Sequence, residues 1–226
     1  MLRLKEMVIS SIVVGTLACS GGEETQLLNR FFMACRSGDN ATVASVSQVG
    51  FPAEGCEAWE VLEVSEGTSE PYRIAELRQQ VETAKKERDA QFEKGKYFLE
   101  DNYNDIEKIQ LRLDKEPDYK FTGKLGEVHA EWEKIMTDRK ALERNVQNLT
   151  REMEKETKLA KMSIMGDAPI NKLEGTVLKK QINVNVTTEG QVKPYVFTMV
   201  KYDLTNPENN VASKSRWIIV AIDEAT

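Results

Sequence analysis

Three cysteines and a single histidine are the residues of this 226-residue chain from which metal or nucleophile chemistry would first be built. Cys19 ends an apolar run, Cys35 and Cys56 follow, and His129 falls in a densely charged stretch. One imidazole is too few for a His/Cys zinc set when the cysteines have other commitments. No G-x-S-x-G and no phosphate loop occurs in the sequence. Tyr202 and Asp203 lie late in a strand-like run and could face a pocket, although a strand end meeting solvent is the plainer reading. For His129 the plainer reading is a solvated helix position. No catalytic residue, no metal and no cofactor is expected.

The first cysteine is explained by what surrounds it. Arg3 and Lys5 precede an apolar run, Met7 to Leu17, of about eleven residues, too short for the roughly 20 that cross a bilayer as helix. Basic start, apolar middle and small Ala18 have the form of a secretory signal over residues 1–18. Two cleavage sites fit. Thr16-Leu17-Ala18 suits an ordinary signal peptidase, whereas T-L-A-C resembles the lipobox of bacterial lipoproteins, with Thr16 where that pattern usually has leucine. The resemblance implies cleavage before Cys19 and acylation of its thiol with diacylglycerol and further chains such as palmitate. Ser20 after the cysteine then implies the outer membrane, facing the periplasm. Residues 19–24 read as a lipidated polar tether. With Cys19 acylated, an even pair remains, Cys35 and Cys56. They are a disulfide candidate, with two buried free thiols as the alternative.

Composition narrows the partners. Net charge is −6, and acidic and basic residues are interleaved. There is no basic footprint for nucleic acid. A 40% hydrophobic content can support a core. Beyond the signal no apolar stretch is long enough for a membrane span, so the membrane contact is expected to be the lipid.

Three blocks follow the tether. In the first, Thr25 could cap a helix through Leu27, Leu28, Phe31, Phe32 and Cys35, stopped at Ser37-Gly38-Asp39. Asp39 or Asn40 starts a second, short helix through Val46. Glu57 to Val64 then alternates as a strand. In the second block, residues 72–165, Val128, Trp132, Ile135, Leu142, Val146, Leu149, Met153 and Ala160 form a heptad seam, with Arg139 and Glu156 at the skipped positions. An earlier seam runs Ile74, Leu77, Val81, Ala84, then Phe92, Leu99, Ile106, Ile109 and Leu113, with a phase shift after Ala84 read as a stutter. Lys115 to Lys124 is a turn. Two helices of about 40 residues, each roughly 60 Å long, therefore form an antiparallel hairpin; helices folded back on the third block are the alternative. In the third block Leu173–Val186, Val192–Leu204 and Lys214–Ile222 read as strands, with a hairpin turn at Glu189-Gly190. Both faces of the last two carry apolar residues, so both faces of the sheet are expected to be covered. The fold class is α+β: a small helix-plus-antiparallel-sheet cone domain, residues 25–71 and 166–226, with an inserted antiparallel coiled-coil hairpin, residues 72–165.

The opening L-L-N-R-F-F-M-A-C-R-S-G-D-N-A-T-V and the closing Arg216-Trp217-Ile218-Ile219 resemble the first helix and last strand of the nuclear transport factor two-like cone fold. The resemblance covers residues 25–64 and 170–223 and is one seen in many small bacterial lipoproteins. It implies a cone with a concave sheet. Enzymes on this fold use Asp with His or Tyr inside the cone, an arrangement that the position of His129 does not suit.

Two functional classes are left. The first is a non-catalytic cell-envelope lipoprotein, an interaction or scaffold protein projecting its coiled coil toward a protein partner. The second is a periplasmic binding module holding a small apolar ligand in the cone. Homo-oligomerisation is compatible with either. Tyr119 and Phe121 lie outside the seam at the hairpin's far end and are the candidates for partner contact; the plainer reading is that they cap the coiled coil.

Overall fold

A computed structural model describes residues 22–51 and 56–225. The expected signal peptide and Cys19 lie outside these residues. The described chain is α+β, with five α-helices and a curled antiparallel sheet.

Helix α1 (Glu23–Ser37) buries Leu27, Leu28, Phe31, Phe32 and Ala34 on one side and ends on Gly38 in the left-handed conformation. It begins two residues before the expected cap at Thr25. Its first turn is held from the sheet: Lys201 donates to Glu23 at 2.6 Å and Lys180 to Glu24 at 2.5 Å. Glu23 and Glu24, expected in the tether, are therefore helical. Helix α2 (Asn40–Val46) is capped by the Asp39 carboxylate, which accepts from the Thr42 N–H. Strand β1 (Cys56–Val64) follows, then β2 (Thr68–Pro71), an edge strand with no apolar pattern to announce it.

Strands β3 (Glu174–Thr188) and β4 (Gln191–Asn206) form the centre of the sheet. The two residues between them, Glu189 and Gly190, both have positive φ, the turn geometry whose twist matches antiparallel strands. β1 and β2 share the outer edge of β3, while short β5 (Val211–Ala212) and β6 (Ile218–Glu224) share that of β4. Lys214 to Trp217, expected in the last strand, precede it as irregular chain. Bulges in β1 and opposite Thr198/Met199 curl the sheet.

Each face of the sheet packs against a different helical layer. α1 and α2 cover Ile182, Val184, Val186, Phe197, Met199, Trp217 and Ile219. The other face packs Val200, Tyr202, Leu204 and Ile218 against Leu159, Ala160 and Ile164 at the root of the hairpin, with Ile170 and Leu173 beside them. The bulge moves Ile222 to the α1 face, opposite the side that simple alternation assigns it. The second face is covered at the root, whereas Leu62 and Val64 on β1 are exposed. Arg216 links the two layers, donating from Nη2 to the Ser45 carbonyl at 2.9 Å and from Nε to the Met162 carbonyl at 3.1 Å.

The hairpin consists of α3 (Ile74–Asp101), α4 (Tyr103–Leu113) and α5 (Gly123–Ser163), with α3 and α4 packed along α5. Among the described residues no helix is long and apolar enough to cross a membrane. The phase of the outgoing seam corrects the sequence reading. Ile74, Leu77, Val81 and Ala84 are buried as expected, but no stutter follows Ala84. The spacing continues through Arg88, Gln91, Gly95 and Phe98, and on through half-buried Asn102, between α3 and α4, to buried Ile109. Gln91 donates to the Ile135 carbonyl, and Phe98 stacks on Trp132 with centroids 6.2 Å apart. A Cβ on Gly95 would lie 3.2 Å from Ile135, so a missing side chain lets the helices close there. Phe92, assigned to the seam by its apolarity, is instead 49% exposed, with the Arg139 guanidinium over its ring.

Candidate functional site

The two residues marked for partner contact meet at the tip of the hairpin. Residues 114–122 leave α4, turn, and enter α5. The turn brings the Tyr119 and Phe121 rings edge to face, centroids 4.9 Å apart. Each ring also has a neighbour on a helix. The Arg112 guanidinium lies 4.3 Å from the Tyr119 centroid while pairing with Glu116 at 3.1 Å. On the other side, Phe121 packs on His129, centroids 5.1 Å apart. His129 is thus half-buried, with Nε2 3.6 Å from Glu133, rather than on the open helix surface expected for it. Trp132 is not part of the tip; its stacking on Phe98 places it in the shaft.

A cleft of about 410 Å³ opens at this tip, lined by Lys108, Arg112, Tyr119, Phe121, Thr122 and Leu125. Asp105 anchors the two sides, bound by Lys124 from α5 at 2.7 Å and facing Lys108 from α4 at 3.6 Å. The hydrogen bond from Lys124 holds the Asp105 carboxyl below its ordinary value. Aromatic edges, a stacked guanidinium and an ammonium can bind an apolar or acidic surface.

A second cluster lies at the root of the hairpin, and sequence reasoning missed most of it. Tyr202 does not meet solvent; it is buried, while neighbouring Asp203 is exposed. Its hydroxyl faces the Glu156 carboxylate, and its ring meets Tyr72 edge to face at 5.7 Å. Tyr72 donates to the Ile170 carbonyl at 3.2 Å. Burial raises the Glu156 carboxyl above its ordinary value, although the facing Tyr202 hydroxyl pulls the other way. Burial, reinforced by the Glu156 charge, pushes both phenols up. Glu156 and Tyr202 border a cleft of about 480 Å³ between α5 and the sheet, with Leu159, Val177 and Val200 among its apolar lining. The signals in the sequence are Glu156, a charge at a seam position, and Tyr202, late in a strand-like run.

Cys35 and Cys56 are free thiols in the structure and belong to the same core region, Cys56 buried and Cys35 half-buried. Burial raises both above the ordinary thiol value. Among the described residues no group of three His, Cys, Asp or Glu side chains could hold a metal ion.

Compared with known protein families, curated proteins and solved structures, the chain has no match in any of the three.

Proposed function

We propose that this chain is a non-catalytic lipoprotein of the bacterial cell envelope, an interaction or scaffold protein that meets a protein partner through the tip of its hairpin. Acylated Cys19 holds it at the outer membrane, facing the periplasm. The observation that carries the reading is the tip cluster. Tyr119 remains 40% exposed although Arg112 and Phe121 pack on it, and it borders an open cleft. Aromatic and arginine side chains gathered in this way are the residue types enriched among interface anchors. Ile109 and Val128 are buried in the hairpin just below the tip, so an apolar closure exists there apart from the two tip rings.

For the base, a nuclear transport factor two-like reading is supported by the order of two helices, two strands, a helical element and the remaining strands of a curled sheet, with α1 across one face. The second functional reading, a binding module, finds its support elsewhere than in the cone. The α1 face is filled by Phe31, Phe32, Phe197 and Met199, none with measurable exposure. A ligand would use the root cleft beside Glu156 and Tyr202.

The test is the double substitution Tyr119→Ala, Phe121→Ala. Thermal stability close to that of the parent chain, with loss of the co-purifying envelope protein, is the expected result. Lower stability with every co-purifying protein retained would make the rings structural and end the proposal.

A further inference from the structure

The outgoing arm of the hairpin carries an apolar and charged pattern that its own partner helix covers only in part, with Arg139 lying over one side of the Phe92 ring. Phe92, Tyr97, Tyr103 and Leu111 are exposed on α3 and α4, while α5 contributes no exposed large apolar side chain among the described residues. Phe92 and Tyr103 are eleven positions apart, about three helical turns, so they share one side of the arm. Leu99, between them on that side, is half-buried. About half of the Phe92 ring and more of Tyr103 stay open to solvent on one flank, and exposed apolar stripes of this kind mark contact surfaces.

The charges say which surface fits. Residues 84–97 hold five basic and three acidic side chains, whereas residues 98–111 hold one basic and four acidic. The arm is therefore positive toward the root and negative toward the tip. A parallel neighbour would set like charges against like. A copy of the same arm lying antiparallel about a two-fold axis near Tyr97–Phe98 sets opposite charges together along the whole stretch. The same axis places Phe92 of each copy opposite Tyr103 of the other, and Lys96 opposite Leu99 and Glu100. Lys96 and Glu100 are both exposed and, among the described residues, neither takes part in an ion pair within the chain.

We propose that the outer flank of α3 and α4 is a self-association surface, on which a second copy of this chain docks antiparallel through Phe92, Lys96, Leu99, Glu100 and Tyr103. An isologous contact of this kind closes as a dimer. The surface is narrow. Over residues 84–111, about 40 Å of helix, a stripe about 10 Å wide covers roughly 400 Å² per copy, below the range of stable interfaces, so the dimer is weak and concentration-dependent. This inference uses the shaft and does not depend on the tip proposal.

Sedimentation velocity on the purified full chain, from about 1 to about 300 μM, brackets the micromolar midpoint such a contact implies. The mass should rise from one chain to two over that range. Phe92→Ala with Tyr103→Ala should raise the midpoint by about ten-fold or more, the effect of losing interface anchors. Lys96→Glu, an exposed substitution that leaves folding intact, should do likewise. Adding Glu100→Lys to it should bring the midpoint back, because the pair is then reversed in both copies. One-chain mass at every concentration would overturn the proposal. So would a midpoint indifferent to Phe92 and Tyr103, or a double charge reversal no better than the single one.

Discussion

Glu156 occupies a seam position where the heptad pattern asks for an apolar side chain, and the structure answers with the Tyr202 hydroxyl. Because burial raises its carboxyl in the folded state, the unfolded chain ionises first as pH rises past about 4.5. Stability contributed by this group is thus full at lower pH and is lost as pH rises through the interval between the unfolded and folded values. Glu156→Gln keeps an acceptor for Tyr202 and removes the charge. Urea unfolding should find the variant more stable than the parent at pH 7, with the difference fading below about pH 4.5; a constant difference would deny the charge this cost. Tyr202→Phe should instead destabilise by about 0.5–1.5 kcal/mol, since the half-buried carboxylate loses the hydroxyl that faces it. Cys35 and Cys56 give a separate test. Denatured without reductant, both should label with maleimide; fewer than two labels would show that the pair bridges in the cell. At this scale the sequence marked Glu156 and both thiols. It could not disclose Tyr202 as the neighbour of Glu156 at the root, because that pairing is made by a strand reached only after the hairpin has turned back.

At the scale of elements, what was legible is what local periodicity determines. α1, α2 and α5 repeat every three or four residues, and the β3–β4 turn has its Gly. β2 was not legible, since Thr68-Ser69-Glu70-Pro71 has no apolar alternation and is a strand only because the edge of β3 offers hydrogen bonds. The seam of α3 was misread because apolar Phe92 was preferred to polar Gln91. The structure chooses Gln91, whose amide reaches the Ile135 carbonyl, and Gly95, which lets Ile135 in. Two truncations separate the readings. Ile135 is 1% exposed, and Ile135→Ala should cost about 2–4 kcal/mol, the range for emptying a packed site. Phe92→Ala should cost less than about 1 kcal/mol, because it removes an exposed ring and one cation–π contact. Equal costs in urea unfolding would return Phe92 to the seam.

For the whole molecule, the hairpin joins the base, among the described residues, through its root. Leu159, Ala160 and Ile164 pack on the sheet, while Ser163 accepts from the Tyr202 N–H and donates to the Arg216 carbonyl. From there α5 runs 41 residues to the turn, about 60 Å of helix. An anchor at Cys19 and an arm of that length would suit a protein that meets something beyond its own membrane surface. Cys19→Ser should move the chain from the membrane fraction to the soluble one or leave its signal uncleaved; unchanged partition and mobility would favour cleavage after Ala18. The tip contact is tested most directly in the cell, with a photo-crosslinking amino acid placed at Tyr119 and, as comparison, at exposed Lys140 on the shaft. A discrete crosslinked envelope protein from position 119, absent from position 140, is the expected result. Crosslinks of the same proteins from both positions, or none from 119 while the chain is correctly localised, would contradict a partner-binding tip.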